Sequence, residues 1–486
     1  MNKPIRTLAV GCFALFAMLL INLNYVQVFQ AGDLNDNNSN KRARDAECSR
    51  ERGAILVGGD PVADSLRSQD ELKFQRTYVK SELYAPVTGY FSCVYGTSGI
   101  ESSQNSVLSG SDERLFVSRV IELVGNKQPK GGSVLLTIDP MAQQAALDGL
   151  NDLPGDTRGA VVALDPQTGA ILAMVSTPTY NPNGIANHNG AAAQRVWERL
   201  TEDDPLRRLN NRATQERYPP GSTFKLVVAA AALMNDYSPD SIVKGGTTLD
   251  LPQSSDTITN SGGSNCGGNE ITLRQALVLS CNVSFGDLGL KLGADELQEQ
   301  AELFGFNEDF FDQLSNAESV FPSELDEPQT AISSIGQFEV AATPLQMAMV
   351  VAGIANGGDV MRPNLVQEVR SPDLEVLEGA DEEVLHQAIT PEVADDLTQM
   401  MVEVVENGTG SSVQIPGVSV AGKTGTANSS AERLPYAWMT TFAPADDPEV
   451  AVAVFVESTG VGFDDVSGGG IAGPIAKRVM EAVVSR

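Results

Sequence analysis

The sequence predicts an α+β protein: an antiparallel sheet flanked by helices plus an all-helical lobe, with a small N-terminal α+β stem and one transmembrane helix ahead of it. Three observations carry that expectation. Strand-like segments gather at both ends of residues 133–486 with helical patterning between them, which implies a sheet joining the two ends. From 27 to 132, short β-like pieces alternate with polar turns. The run from 7 to 26 is apolar and close to the ~20 residues that a membrane-spanning helix needs.

Bulk properties exclude several function classes. The chain has 486 residues, room for two or three domains, and a formal net charge of −30. Such a surface repels DNA, RNA and anionic headgroups, so no nucleic-acid partner is expected. His188 and His386 are the only histidines, which leaves little room for a Ser-His-Asp triad or a His-rich metal site. Neither metal nor cofactor is expected, and any serine chemistry should use lysine as its base. The five cysteines include no Cys-x-x-Cys pair. If the chain is exported, the four beyond Cys12 can form two disulfides, guessed as Cys48 with Cys93 and Cys266 with Cys281; four buried thiols are the alternative.

Taken in order, residues 1–6 form a tail whose Lys3 and Arg6 should stay cytoplasmic. Residues 7–26 form the anchor. A cleaved signal peptide is the alternative, but Phe29-Gln30-Ala31 is a poor cleavage site. Residues 27–132 hold a polar linker, Ala31 to Asn40, and the stem, with strand-like Ala54 to Val57 and Ser92 to Tyr95 and a helical-looking Asp112 to Val124. The second domain, 133–486, starts at the buried strand Ser133 to Asp139, followed by a helix with Pro140 at its first position. Gly159 to Asp165 and Ala170 to Val175 flank a four-residue turn and read as a hairpin. Gly245 to Glu270 reads as surface turns, Ala294 to Val360 as a mainly helical lobe, and Leu374 to Thr390 as an acidic loop. Val418 to Ala427, Ala437 to Ala443 and Val450 to Glu457 are closing strands, and Ile475 to Val484 a closing helix.

Three short motifs stand at element boundaries. Tyr218-Pro-Pro-Gly221 leads into Ser222-Thr-Phe-Lys225 and an Ala- and Val-rich helix, so Ser222 and Lys225 share one face near a helix start. An amine beside a hydroxyl in an apolar setting can act as its base. A capping hydroxyl with a solvated lysine is the bland alternative. Ser241-Ile-Val-Lys244 matches Ser-x-x-Lys too, but Gly245 and Gly246 follow it, and it reads as a loop. Ser280-Cys-Asn282 falls between two helices, where capping is again the alternative. Lys423-Thr424-Gly425-Thr426 ends an apolar strand, and Gly425 allows a ligand near the backbone.

Ser-x-x-Lys, Ser-x-Asn and Lys-Thr-Gly, in that order, resemble the penicillin-binding proteins and serine β-lactamases. The anchor, the stem, and Gly336-Gln337 ahead of Thr343-Pro-Leu-Gln resemble class B penicillin-binding proteins, and among these the actinobacterial penicillin-binding protein A group. The likeness runs from about Ser133 to Ser485; in the stem only Arg52-Gly-Ala-Ile55 carries it. The resemblance implies a peptidoglycan D,D-transpeptidase that cross-links D-Ala-D-Ala stem peptides through a Ser222 acyl-enzyme and is inhibited by β-lactam antibiotics. It implies Lys225 as base, Ser280 as proton relay, Asn282 on the acyl-side amide, Lys423 as positive field, Thr424, Gly425 and Thr426 at the substrate carboxylate, and the backbone N–H groups of Ser222 and Thr426 as oxyanion hole. A membrane glycosyltransferase of the shape, elongation, division and sporulation family is the implied partner. Thr441 departs from the glycine common in the family and is expected to narrow the cleft. A D,D-carboxypeptidase or β-lactamase, with water as acceptor, is the nearest alternative; a non-catalytic cell-wall scaffold is another.

Overall fold

The computed structural model describes residues 3–28, 30, 47–115, 130–202, 204–427, 435–458 and 467–485. The linker expected at Ala31 to Asn40 lies outside them, as does most of the helix expected from Asp112, of which the described part is a single turn, Glu113–Leu115. The segment expected to be the anchor is one helix, Lys3–Val28, long and apolar enough to cross a membrane, with apolar side chains exposed along its length.

The core sheet of the large domain has five antiparallel strands in the order Ala421–Ala427, Tyr436–Ala443, Val450–Ser458, Arg158–Leu164, Ile171–Thr177. The early hairpin and the late strands do join, as expected. All eight residues of Tyr436–Ala443 are buried, so both faces are covered. Pro140–Asn151 and Gly473–Val484 pack against this sheet and each other, and Pro344–Ala355 packs on its central strands. The prolines start their helices as anticipated: Asp139 Oδ1 accepts from Met141 and Ala142 N–H at 2.8 Å, and the Thr343 side chain from Gln346 N–H.

A six-stranded sheet carries the stem, in the order Val376–Gly379, Val366–Arg370, Ser133–Leu136, Ile55–Val57, Asp60–Arg67, Phe74–Tyr78. Ser133–Leu136, expected to open the large domain, therefore belongs to the stem's sheet, parallel to Ile55–Val57 and antiparallel to Val366–Arg370. All four of its residues are buried. Apolar runs announce burial but not partner. Beneath this sheet Glu101 is fully buried between two guanidiniums, 2.6 Å from Arg52 Nε and 2.6 Å from Arg76 Nε, with the Tyr78 hydroxyl at 3.0 Å. Burial alone would push its carboxyl up, but the two arginines hold it below the usual value.

The helical lobe also carries short ribbons that the sequence reading assigned to loops. Ile242–Lys244, the decoy Ser-x-x-Lys, pairs with Glu270–Thr272, and Thr248–Asp250 pairs with Thr257–Thr259. Each strand buries a single apolar residue between exposed or half-buried neighbours, Val243, Leu249, Ile258 or Ile271, too short a pattern to show a period. The acidic segment after Leu374 likewise holds the strands Val376–Gly379 and Val384–Gln387. Both guessed disulfides, Cys48–Cys93 and Cys266–Cys281, are formed.

Candidate active site

Pro219 leads in, Pro220 already has helical dihedrals (φ −73°, ψ −17°), Gly221 turns at φ +54°, and the tight turn Gly221–Thr223 feeds the helix Lys225–Met234, buried from Lys225 to Leu233. This turn is clamped from several sides. Tyr218 exchanges two 2.9 Å backbone bonds with Ala342, the Trp438 indole donates to Pro219 O at 3.0 Å, and Gly221 N–H donates to Gly336 O at 2.9 Å. Gly336 sits at φ +69°, and a Cβ there would lie 2.2 Å from the Gly221 carbonyl. That contact gives the Gly336-Gln337 motif its physical meaning. Ser222 is half-buried on the wall of a cleft of about 980 Å³, and its hydroxyl caps no helix N–H among the described residues.

Lys225 points away from solvent and into the Ser280 turn. Its Nζ donates to Ser280 O at 2.8 Å and to Asn282 Oδ1 at 2.7 Å, and lies 3.3 Å from Ser280 Oγ. Its hydrogen bonds thus run to the second motif, not to Ser222. The junction between Leu273–Val278 and Asn282–Leu292 is held in an uncommon shape, with Ser280 at φ +56°. Three features hold it: the Cys266–Cys281 disulfide, Asn260 Oδ1 accepting from Val283 N–H at 3.0 Å, and Asn282 Nδ2 donating to Thr259 O at 2.9 Å. Neither Ser280 nor Asn282 caps the following helix, so the capping alternative is not what these residues do.

The third motif closes the cluster. Lys423 Nζ donates to Ser280 Oγ at 2.8 Å and to Thr424 O at 3.0 Å. Ser280 therefore sits between two lysines, each with no exposed surface. Burial and the neighbouring Lys423 push the Lys225 amine well below the usual lysine value, and burial lowers Lys423 to about 7. Gly425 lets the strand Ala421–Ala427 approach the Gly221–Thr223 turn: a Cβ there would be 2.9 Å from Thr223 Cγ2 and 3.0 Å from Pro220 O. Thr424 and Thr426 line the cleft beyond it.

Some residues differ from expectation or escaped it. Thr441 does not narrow the cleft: it is fully buried and donates to Ala421 O at 2.6 Å, inside the sheet. Thr409, 2.6 Å from Thr424 Oγ1, and the cleft-lining Gly468–Gly470 were not singled out; the three consecutive glycines were the available signal. The histidines serve elsewhere, His188 against Asp70 at 2.7 Å and His386 against Glu308 at 2.6 Å.

Two buried lysines that share Ser280, in a cleft that Ser222 also lines, invite comparison with known proteins. Residues 159–481 match the penicillin binding protein transpeptidase domain, and residues 52–134 the penicillin binding protein A dimerisation domain. The peptidoglycan D,D-transpeptidase PbpA of Mycolicibacterium smegmatis is 42% identical over 490 residues, 100% of this chain and 99% of the relative. Penicillin-binding protein A from M. tuberculosis is 41% identical; its ceftriaxone acyl-enzyme complex aligns at TM-score 0.88 over 90% of this chain and 100% of that one, and its penicillin G acyl-enzyme complex at 0.85 over 89% and 99%. With the motifs assembled in one cleft and likeness along the full chain, the protein belongs to the penicillin-binding protein transpeptidases, as a class B member.

Proposed function

We propose that this protein is a peptidoglycan D,D-transpeptidase in which Ser222 forms the acyl-enzyme. The observation that carries the reading is the convergence of Lys225 and Lys423 on Ser280 beside Ser222. A neutral lysine has two protons and one lone pair. Ser280 O and Asn282 Oδ1 can only accept, so they engage both Lys225 protons and leave the lone pair as a base. Asn282 cannot reverse this, because its Nδ2 is committed to Thr259 O.

Ser222 Oγ gives its proton to Lys225 and attacks the carbonyl between the two D-alanines of a stem peptide. The backbone N–H groups of Ser222 and Thr426 hold the oxyanion. The C–N bond then breaks, and Ser280, fed by the lysines, delivers a proton to the departing D-alanine amine. Thr424 and Thr426 hold the terminal carboxylate at Gly425, with Lys423 supplying positive field, and Asn282 engages the acyl-side amide. An amine from a neighbouring strand attacks the ester and regenerates Ser222. A β-lactam enters the same first step and stays.

Residues 133–486, apart from the strands they lend to the stem's sheet, carry this chemistry outside the cytoplasmic membrane, 27–132 set its height above the membrane, and 7–26 anchor it, with residues 1–6 in the cytoplasm. Anchor and stem are the surfaces offered to a membrane glycosyltransferase of the shape, elongation, division and sporulation family. Intact-mass analysis after benzylpenicillin, with peptide mapping, tests the central claim. A single adduct on the Ser222 peptide, lost in Ser222→Ala, is expected; labelling that persists in that variant moves the nucleophile elsewhere.

A further inference from the structure

The Lys-Thr-Gly-Thr strand has a second hydroxyl behind it. The helix Pro391–Asn407 ends at Gly408, and the next residue, Thr409, lies with its Oγ1 2.6 Å from Thr424 Oγ1. Thr409 is exposed on the cleft wall, beside Ser411, Ser412 and Ser467. Its loop is held from both sides: Gly410 N–H donates to Val404 O at 2.9 Å, and Gly469 packs so closely that a Cβ there would lie 2.8 Å from the Thr409 carbonyl.

Two hydroxyls at that distance share one hydrogen bond, and either can donate. What stands in front of Thr424 decides which one does. A carboxylate only accepts, so Thr424 must spend its single proton forwards, and its oxygen is then free to accept from behind. We propose that Thr409 is a positioning residue for the substrate's terminal carboxylate: its O–H donates to Thr424 Oγ1 and thereby aims the Thr424 proton at the carboxylate. This rests on the reading of Thr424 and Thr426 as the carboxylate-binding pair. In the chain from Thr409 through Thr424 to the anion, each bond polarises the next, and the last is charge-assisted. Lys423 Nζ bonds to Ser280 Oγ and to the Thr424 carbonyl, not to Thr424 Oγ1, so it does not set the direction of the Thr424 hydroxyl.

The test compares acylation by benzylpenicillin and by its methyl ester, which lacks the anion, in the wild type, in Thr409→Val and in Thr409→Ser. Valine keeps the shape without the donor; serine keeps the donor. The wild type should prefer the acid. Thr409→Val should lose about tenfold of that preference, the scale of one hydrogen bond in a charge-assisted chain, while Thr409→Ser keeps it. Equal slowing of acid and ester in Thr409→Val, or an unchanged preference, overturns the proposal and leaves a loop-anchoring role. If the wild type itself does not distinguish acid from ester, the carboxylate reading of Thr424 and Thr426 fails first, and Thr409 with it.

Discussion

Lys225 Nζ lies 2.7 Å from Asn282 Oδ1, and in the proposed mechanism this bond, with the one to Ser280 O, sets the direction of the lysine lone pair. Changing the partner should therefore change the base. Asn282→Asp puts a carboxylate against Lys225, which favours the ammonium form and raises its pKa. Acylation near neutrality should fall by about 10²–10³-fold, within the range of a lost general base, and recover partly as pH rises. A pH–rate profile with a fluorescent penicillin reads this; an acid limb that stays in place refutes it.

Burying Lys423 costs stability that the active site uses. Its folded pKa is about 7, whereas an unfolded lysine titrates near ~10.4, so between those values the unfolded chain binds more protons and native stability rises with pH. Lys423→Met should accordingly be more stable than the wild type at pH 7, by on the order of a few kcal/mol, with the advantage shrinking towards pH 10. Thermal unfolding at pH 7, 8 and 9 measures it. Acylation by the variant should be severely slowed throughout.

The Cys266–Cys281 bridge closes a short loop beside the positive-φ Ser280. Replacing both cysteines with serine should cost up to about 3 kcal/mol, the loop-entropy estimate for such a span. Because Ser280 then relaxes from between the two lysines, acylation should drop at least about tenfold, even where circular dichroism shows the protein folded. Unchanged acylation in the folded variant would mean that Asn260 and Thr259 suffice to hold the turn.

In the stem, Glu101→Gln leaves Arg76 buried without its counter-charge and Arg52 with only the partly exposed Glu47 at 3.2 Å. A loss of about 3–5 kcal/mol is expected in urea unfolding. Since the Glu101 carboxyl is held below its usual value, the stability it contributes is present above the unfolded pKa of ~4.3 and is lost as pH falls through the folded one. Penicillin labelling per folded molecule should not change.

The proposed catalytic cluster was legible because each of its three motifs is local: Ser222 and Lys225 lie within one helical turn, Ser280 and Asn282 across one junction, Lys423 to Thr426 along one strand. Their convergence came from resemblance, as no spacing of 143 residues between Ser280 and Lys423 predicts a 2.8 Å contact. Thr409 escaped because Asn407-Gly-Thr-Gly410 reads as an ordinary helix stop, and its meaning comes from Thr424 across space. Thr441 was misjudged because a one-residue alternation along a strand decides whether a side chain faces cleft or core. Strands as short as Ile242–Lys244 bury one side chain each, below what periodicity can register.

Ser133–Leu136 lies at the middle of the six-stranded sheet, with Val366–Arg370 on one side and Ile55–Val57 on the other. The N-terminal module is thus not a bead threaded ahead of the enzyme. During synthesis its sheet must wait, one edge open, until more than two hundred further residues have emerged to supply the missing neighbour. A truncation that ends before residue 366 should expose that seam to aggregation, however neatly it seems to isolate the stem.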